Sequence, residues 1–573
     1  MSDEGELSVG ERIPEVAHAW RELSEMVQRA RATPVPAALN ETLEHQRRSD
    51  PDGPLAAPML LWMGDSLAME RRFAEACEAY EKLAEGFADR RFGETDWGSM
   101  ALDRIADCLS RLGRTEEAGA ALERLLAAGA RGMSQAGLKH RAGRLAEGAG
   151  RDDEAAAWYK RARATKDEPR GAQLDVPDLA RRDLERLRAD RTWMRAEPED
   201  LARELAAALT ARRSKALQAL EALASPSHFS IAVLNGERAF VDRDALLRLI
   251  SEDLAPARIR ADPEDLEGTG GKRYLATDGW AGRFVTGRLV LLLARTPWGW
   301  EWSGVALTQF PDADWEPLVG PSATVTNQPL TLAIKAPWSA GLAMRAGGIL
   351  PFAAELAFCM SFGPFAPLCM AARSLGPCGF GPGGLYFGGV GGVNFTHGGD
   401  DFFAIDFARF LPGAPFANVT FGTPVRSVQA GMVSGVRGLF PTGSTVDDNR
   451  VLVKHMTEAE FIMIVIVEIL SGAALRPFAT PRFTSMYLHL DGPGRIPVSP
   501  GMFVRQGAFL GPADDTGNSA GHHLHFSIHD RTLPASSPEG TFTPAGRSVR
   551  PTPMDGQRLI EIDDGRCVVS TNA

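Results

Sequence analysis

Apolar residues in the first 190 or so positions recur at three- and four-residue intervals among Ala, Leu, Glu and Arg, which predicts amphipathic helices. Three segments repeat one pattern. FAEACEAY, TEEAGAAL and DEAAAWY each place a small Ala four residues ahead of a large apolar side chain, as Ala76/Tyr80, Ala118/Leu122 and Ala155/Tyr159. About one helical turn separates the members of each pair. A neighbouring helix can therefore come close over the Ala while the Tyr or Leu fills the groove beside it. The alanines lie 42 and 37 residues apart, somewhat more than the period of about 34 of a plain helical-hairpin repeat. LGRTEEA and GAGRDDEA put Gly-Arg ahead of acids, a helix stop followed by a helix start. Pro34, Pro36 and the polar run RRSDPDG (residues 47–53) interrupt the pattern before the first repeat.

The texture changes from about residue 214. A helix over Ser214 to Leu223 is followed by the apolar runs HFSIAVL, RFVTGRLVLLLA and WEWSGVALT. Turns at Asn235-Gly236, Gly268 to Lys272 and Pro297-Trp298-Gly299 separate them, so they read as strands. Trp280, Trp298, Trp300 and Trp302 gather here, and core packing accounts for them more readily than a ligand pocket. Residues 346–372 are apolar, but Pro351, Pro364 and Pro367 break them, which suits a buried, turn-rich segment rather than a membrane span. Phe461 to Val467 is too short to span and fits a buried strand or short helix. After a Gly/Pro-rich passage, short strands rich in His, Asp and Gly run to about Asp530. The expected class is multidomain α plus β. It has an α-helical repeat region at 1–190, an α+β domain at 210–330 and a Gly/Pro-rich apolar connector at 331–384. A mostly antiparallel β domain at 385–535 and a tail at 536–573 complete it.

Composition narrows the function classes. At 573 residues three to four domains are expected. Lys and Arg number 62 against 73 Asp and Glu, a net charge of −11 that argues against a nucleic-acid partner bound by broad phosphate neutralisation. Cys77, Cys108, Cys359, Cys369, Cys378 and Cys567 form no CxxC pair, so neither a disulfide framework nor a thiolate zinc site is expected. MSDEGELSVGERIPEV shows no basic region followed by an apolar one. A cytoplasmic chain, or one exported by a route without such a signal, is the expectation.

Three spots carry candidate chemistry. In NFTHGGDDFFAIDFA, His397 and Asp406 lie nine apart; MYLHL holds His489; HHLHF holds His523 and His525. Residues i and i+2 of a strand share a face, so His523 and His525 project together, with Leu524 and Phe526 on the other side. One His, one Asp and one of the paired His would supply the three protein ligands of a catalytic zinc. The remaining imidazoles would be left for acid–base work. Any one of these histidines alone is more often structural. HExxH is absent, GNSAG runs into a strand where a nucleophile elbow needs a helix, and no GxxxxGK[ST] is present.

Residues 385–535 resemble the lysostaphin-type (LytM-like) zinc metallopeptidases, which cut peptide cross-links in bacterial peptidoglycan. FGTPVRSVQAGMVSGV is similar to the family's first strand pair, VLVKH to the next strand, and VSPGMFVRQGAFLGPADDTGNSAGHHLHF to the segment ending in its HxH. The resemblance implies Zn2+ held by His397, Asp406 and His525. It implies that His489 and His523 activate water and stabilise the oxyanion, and that the substrate is a Gly- or D-amino-acid-containing stem or bridge peptide. Tyr487, two before His489, is expected on the same strand face. Asp401 is a rival ligand, because many members carry the Asp four residues after the first His; Asp406 is preferred because AIDFA continues a strand. About thirty residues, Met456 to Ser485, replace a short hairpin and are expected to cover or line the cleft. His455, His522 and His529 are expected at the surface or behind the ligands. Residues 55–165 resemble tetratricopeptide repeats, which implies either a protein partner on a concave surface or a purely packing role. A non-catalytic scaffold or cell-wall-binding protein is the alternative reading of the whole.

Overall fold

In a computed structural model of the chain, the residues described are 9–31, 37–92 (without 52 and 54), 95–165 (without 131) and 176–226 (without 211–212). They continue at 230–233, 238–240, 247–248, 251, 263–266, 271–277, 289–307 (without 297), 334–336 and 343–346. The C-terminal part comprises 404–409, 419–440 (without 439), 448–465, 481–533 (without 493 and 517–521), 544–549, 554 and 567–572. They form a helical array and two large sheets, an α plus β architecture.

The array opens with α1 (Val9–Arg31) and α2 (Ala37–Ser49). Three hairpins follow: α3 (Ala56–Met69) with α4 (Phe73–Gly86), α5 (Trp97–Arg111) with α6 (Thr115–Ala127), and α7 (Gln135–Gly148) with α8 (Asp152–Arg163). Strands β1 (Arg91–Phe92) and β2 (Thr95–Asp96) link the first two. All six residues of the repeated Ala/Tyr and Ala/Leu pairs are fully buried. Their counterpart is a small residue on the preceding helix: a Cβ on Gly143 would stand 2.5 Å from the Tyr159 ring, and Tyr80 crowds Gly64 at least as closely. Ala106 holds the corresponding place before Leu122. Each hairpin turns on one left-handed residue, Arg71 (φ +61°), Gly113 (φ +73°) or Gly150 (φ +72°). The arginine that follows, Arg72, Arg114 or Arg151, pairs with the acid three residues on. The Gly-Arg-acid signal thus has a local cause. Helix α9 (Val176–Arg188) packs on α8.

Helices α10 (Pro198–Thr210) and α11 (Arg213–Leu223) precede the first large sheet. Its strands are β3 (Ser230–Val233), β4 (Arg238–Phe240), β5 (Pro263–Leu266), β6 (Gly271–Thr277), β7 (Leu289–Thr296) and β8 (Gly299–Leu307), in the order β4-β3-β8-β7-β6-β5. Only the β3–β8 pairing is parallel. Trp302 is fully buried and donates to the Gly304 carbonyl, while Arg191 stacks 4.0 Å over Trp298. These tryptophans serve core and surface packing. Trp280 lies outside the described residues.

The second large sheet is antiparallel throughout. It comprises β9 (Ala343–Ala346), β10 (Ile405–Ala408), β12 (Gly431–Arg437), β13 (Arg450–His455), β14 (Phe483–Leu488), β15 (Phe503–Val504), β17 (Leu524–Asp530), β18 (Arg547–Val549) and β19 (Cys567–Val569). The order is β15-β12-β13-β14-β17-β10-β9-β19, with β18 also on β17. A two-stranded ribbon of β11 (Pro424–Arg426) and β16 (Phe509–Pro512) lies apart from it. One sheet face carries Val451, Tyr487, Phe526 and Ile405 into the core. The other carries Leu488, His525 and Asp406 in one row.

Part of the FIMIVIV run forms α12 (Glu458–Val465), whose buried Phe461 meets Phe503 at 4.8 Å between ring centroids. Helix α12 packs on α1, and Glu458 pairs with Arg21. The expectation that this insertion covers or lines the cleft is corrected for its described part. It follows His455, whereas Arg450, at the other end of β13, pairs with Leu488 next to His489. Residues 466–480 lie outside the described ones, as do 347–372. No described helix is long and apolar enough to cross a membrane.

The helical array and this sheet are joined through polar contacts and a common core. Trp20 Nε1 donates to Gly501 O (2.6 Å), Trp62 Nε1 to Pro500 O (3.0 Å) and Arg104 Nη2 to Val436 O (2.6 Å). Ser499 Oγ donates to Asp65 and accepts from Arg31. One continuous hydrophobic core holds Trp20, Trp62 and Leu109 together with Val433, Met502 and Phe526. The partner found on these helices is the chain's own sheet.

Candidate active site

Alternation and register assemble the site. On β17, His525 faces Asp406 of β10 on one side and Leu488 of β14 on the other. Asp406 Oδ1 is 3.1 Å from His525 Nδ1 and 3.6 Å from His523 Nε2. Two residues before His525, His523 bridges Asp514 through its backbone. His489 lies just past the end of β14 at φ +59°. Its ring centroid is 4.5 Å from that of His523 and 5.9 Å from that of His525, edge-on to the latter. Asp406, His489, His523 and His525 are all fully buried.

His489 Nδ1 lies 2.5 Å from the carbonyl of Thr516. A carbonyl only accepts, so Nδ1 carries the proton and Nε2 is the basic nitrogen of the neutral ring. Asp448 stands nearby. Burial works against its ionisation, but the Arg450 guanidinium beside it prevails and holds the carboxyl below the usual range.

Of the five residues expected to act together, Asp406, His489, His523 and His525 meet. His397, like its neighbour Asp401, lies outside the described residues. Tyr487 does not share the site face: its ring packs on Phe526 at 5.3 Å and its hydroxyl accepts from Val428 N. Strand alternation fails as a guide there because His489 has already left the strand. Burial pushes the Tyr487 hydroxyl up to about 12, against hydrogen bonds to Ser485, Val428 and Ser427. His529 is buried with nitrogens 3.1 Å from Ser527 Oγ and 3.1 Å from Gly546 O, a structural role. His455 is buried as well.

The sequence left Asp514, Asp515, Asn449 and Thr516 unmarked and gave His522 no role beyond the surface or a place behind the ligands. Asp514, Asp515 and His522 bring three possible ligand atoms within 4.8 Å of one another. The part-exposed His522 ring lies 4.9 Å from that of Phe421. The acid pair in PADDTG, so close to the paired histidines, was the available signal. Asn449 and Thr516, behind His489, left none.

No known family model matches the chain, and no curated protein matches it. Solved structures are similar to parts of it. A tetratricopeptide repeat protein from Parabacteroides merdae is similar over 36% of this chain and 74% of its own, at 16% identity and a TM-score of 0.25. The catalytic domain of the antimicrobial peptidase lysostaphin from Staphylococcus simulans is similar over 25% of this chain and 74% of its own, at 19% identity and a TM-score of 0.15. For a zinc-containing peptidase from Vibrio cholerae the shares are 46% and 58%, at 15% identity and a TM-score of 0.15. The functional reading rests on the chemistry of the site itself.

Proposed function

We propose that the chain is a zinc-dependent endopeptidase that hydrolyses peptide bonds in peptidoglycan stem or cross-bridge peptides. The observation that supports this most is the meeting of Asp406, His489, His523 and His525, from three distant segments, in one buried cluster. Asp406 Oδ1 and His525 Nδ1, 3.1 Å apart, suit neighbouring ligands of a tetrahedral ion, since donor atoms at 2.0–2.1 Å from zinc stand roughly 3.3 Å from each other. In this reading His397 is the third ligand. Zinc, when bound, polarises the scissile carbonyl and makes a water acidic enough to ionise near neutral pH. His489, proton-bearing on Nδ1, accepts the proton of the attacking water on Nε2 and passes it to the leaving amine. His523 donates to the oxygen on which negative charge develops.

Digestion of purified peptidoglycan by the full chain, with and without a chelator, tests the reading. Mass analysis should find fragments cut within stem or bridge peptides, and the chelator should abolish them. Protein that purifies without near-stoichiometric zinc and releases no fragments would sink the enzyme and favour a non-catalytic wall-binding scaffold.

A further inference from the structure

His489 occupies a left-handed backbone conformation, φ +59°, that non-glycine residues seldom adopt. A closed set of buried polar contacts holds it there. Its carbonyl accepts from Asp514 N (2.6 Å), and the next residue, Leu490, donates its N–H to Asn449 O (3.2 Å). The Leu490 carbonyl accepts from both Asn449 Nδ2 and Thr516 Oγ1, each at 3.0 Å. Thr516 Oγ1 in turn accepts from Asn449 N (3.0 Å). Asn449 is anchored on its far side by Phe440, whose N–H donates to Oδ1 (3.0 Å) and whose carbonyl accepts from Nδ2 (2.7 Å). Asn449, Thr516 and His489 are all fully buried.

We propose that Asn449 and Thr516 are positioning residues for His489. The Thr516 hydroxyl, clamped between the backbone N–H of Asn449 and the Leu490 carbonyl, which the Asn449 side chain also holds, fixes the Thr516 carbonyl against His489 Nδ1. The ring is thereby kept in the tautomer whose basic nitrogen is Nε2. A buried amide and hydroxyl that satisfy each other this fully cannot drift apart without leaving polar groups unpaired, so the geometry is locked before substrate arrives. The catalytic consequence rests on the peptidase reading; the tautomer does not.

The test compares Thr516→Val, nearly isosteric but without the hydroxyl, with Thr516→Ser, which keeps it. In the full chain labelled with 15N-histidine, the His489 imidazole shifts are assigned by their loss in His489→Ala and read at one mildly alkaline pH. The wild type and Thr516→Ser should show proton-bearing Nδ1 alone, and Thr516→Val a mixture of tautomers. On a soluble cross-linked muropeptide, Thr516→Val should lower kcat on the order of tenfold or more at unchanged KM and zinc content, with Thr516→Ser close to wild type. A pure Nδ1–H tautomer in Thr516→Val, or equal losses in the two variants, overturns the assignment. The expected tautomers in a chain that cleaves nothing would overturn the peptidase reading alone. Should Thr516→Val fail to fold, Thr516→Ala removes the same hydroxyl, and an unmixed tautomer there overturns the proposal. Asn449→Ser keeps the backbone N–H on Thr516 Oγ1 but releases the Leu490 carbonyl, so it should mix the tautomers too, and an unmixed one there strikes Asn449 from the assignment.

Discussion

His525 stands opposite Asp406 across one strand pair, whereas His489 lies beyond the end of its strand and hangs on the Thr516 carbonyl. The two should therefore fail differently. His525→Ala is expected to lose both zinc and cleavage. His489→Ala should keep zinc while turnover slows by roughly 10²–10⁴; metal analysis beside a kinetic assay separates them, and full activity in His489→Ala would contradict its role. His455 gives a pH prediction of another kind. Burial pushes its imidazole from the usual 6.5 down to about 4, against hydrogen bonds to the carbonyls of Ala430 and Gln429. Between those values the unfolded chain binds a proton that the folded chain refuses. This contribution is whole above pH 6.5 and lost as pH falls to about 4, some 3 kcal/mol in all by linkage. Urea denaturation of His455→Gln across that range should show a shallower loss of stability than the wild type. At this scale the sequence exposed what is periodic. His523 and His525 stand two apart, one just before β17 and one within it, and are readable; Asn449 and Thr516 meet across 67 residues and are not.

The helical hairpins were legible because their signals are local. The Ala/Tyr spacing and the Gly-Arg-acid turn both arise within a few residues, and the structure shows the buried pairs and the turn each implies. Their complement on the preceding helix, Gly64 or Gly143 beneath a Tyr ring, went unread although it recurs at a fixed offset. Gly143→Ala should drive a methyl into the Tyr159 ring and destabilise the chain by about 1–3 kcal/mol. A lowered melting temperature checks this, and an unchanged one would mean that the helices part without cost. Arg71 takes the left-handed conformation that glycine supplies in the other two hairpins. Arg71→Gly should therefore stabilise, by about 1 kcal/mol, seen as a rise in melting temperature. The strands around the site were legible for a similar reason: their alternation is strict until His489, where a single dihedral departs from it.

Nothing in the sequence indicated what Trp20 and Trp62 would pack against. Trp62 meets Pro500 across 438 positions, a separation at which no local pattern carries information. Helices α3 and α5 are buried nearly along their whole lengths: they lie between neighbouring helices of the array, and Trp62 and Arg104 reach across from them to Pro500 and Val436. Trp62→Ala should cost about 3–5 kcal/mol. Because the core is continuous, the far-UV helix signal and the hydrogen-exchange protection of the sheet amides should be lost together in denaturant; separate transitions would show two independent bodies.

That shared interior limits how the chain can be taken apart. A protease that nicks the loops between array and sheet should yield fragments that still travel as one particle on a sizing column, held by Trp20, Trp62 and Arg104. Neither fragment, made alone, would find a cover for its half of the interior. Any route that carries the histidine site to its substrate must therefore carry the helices with it.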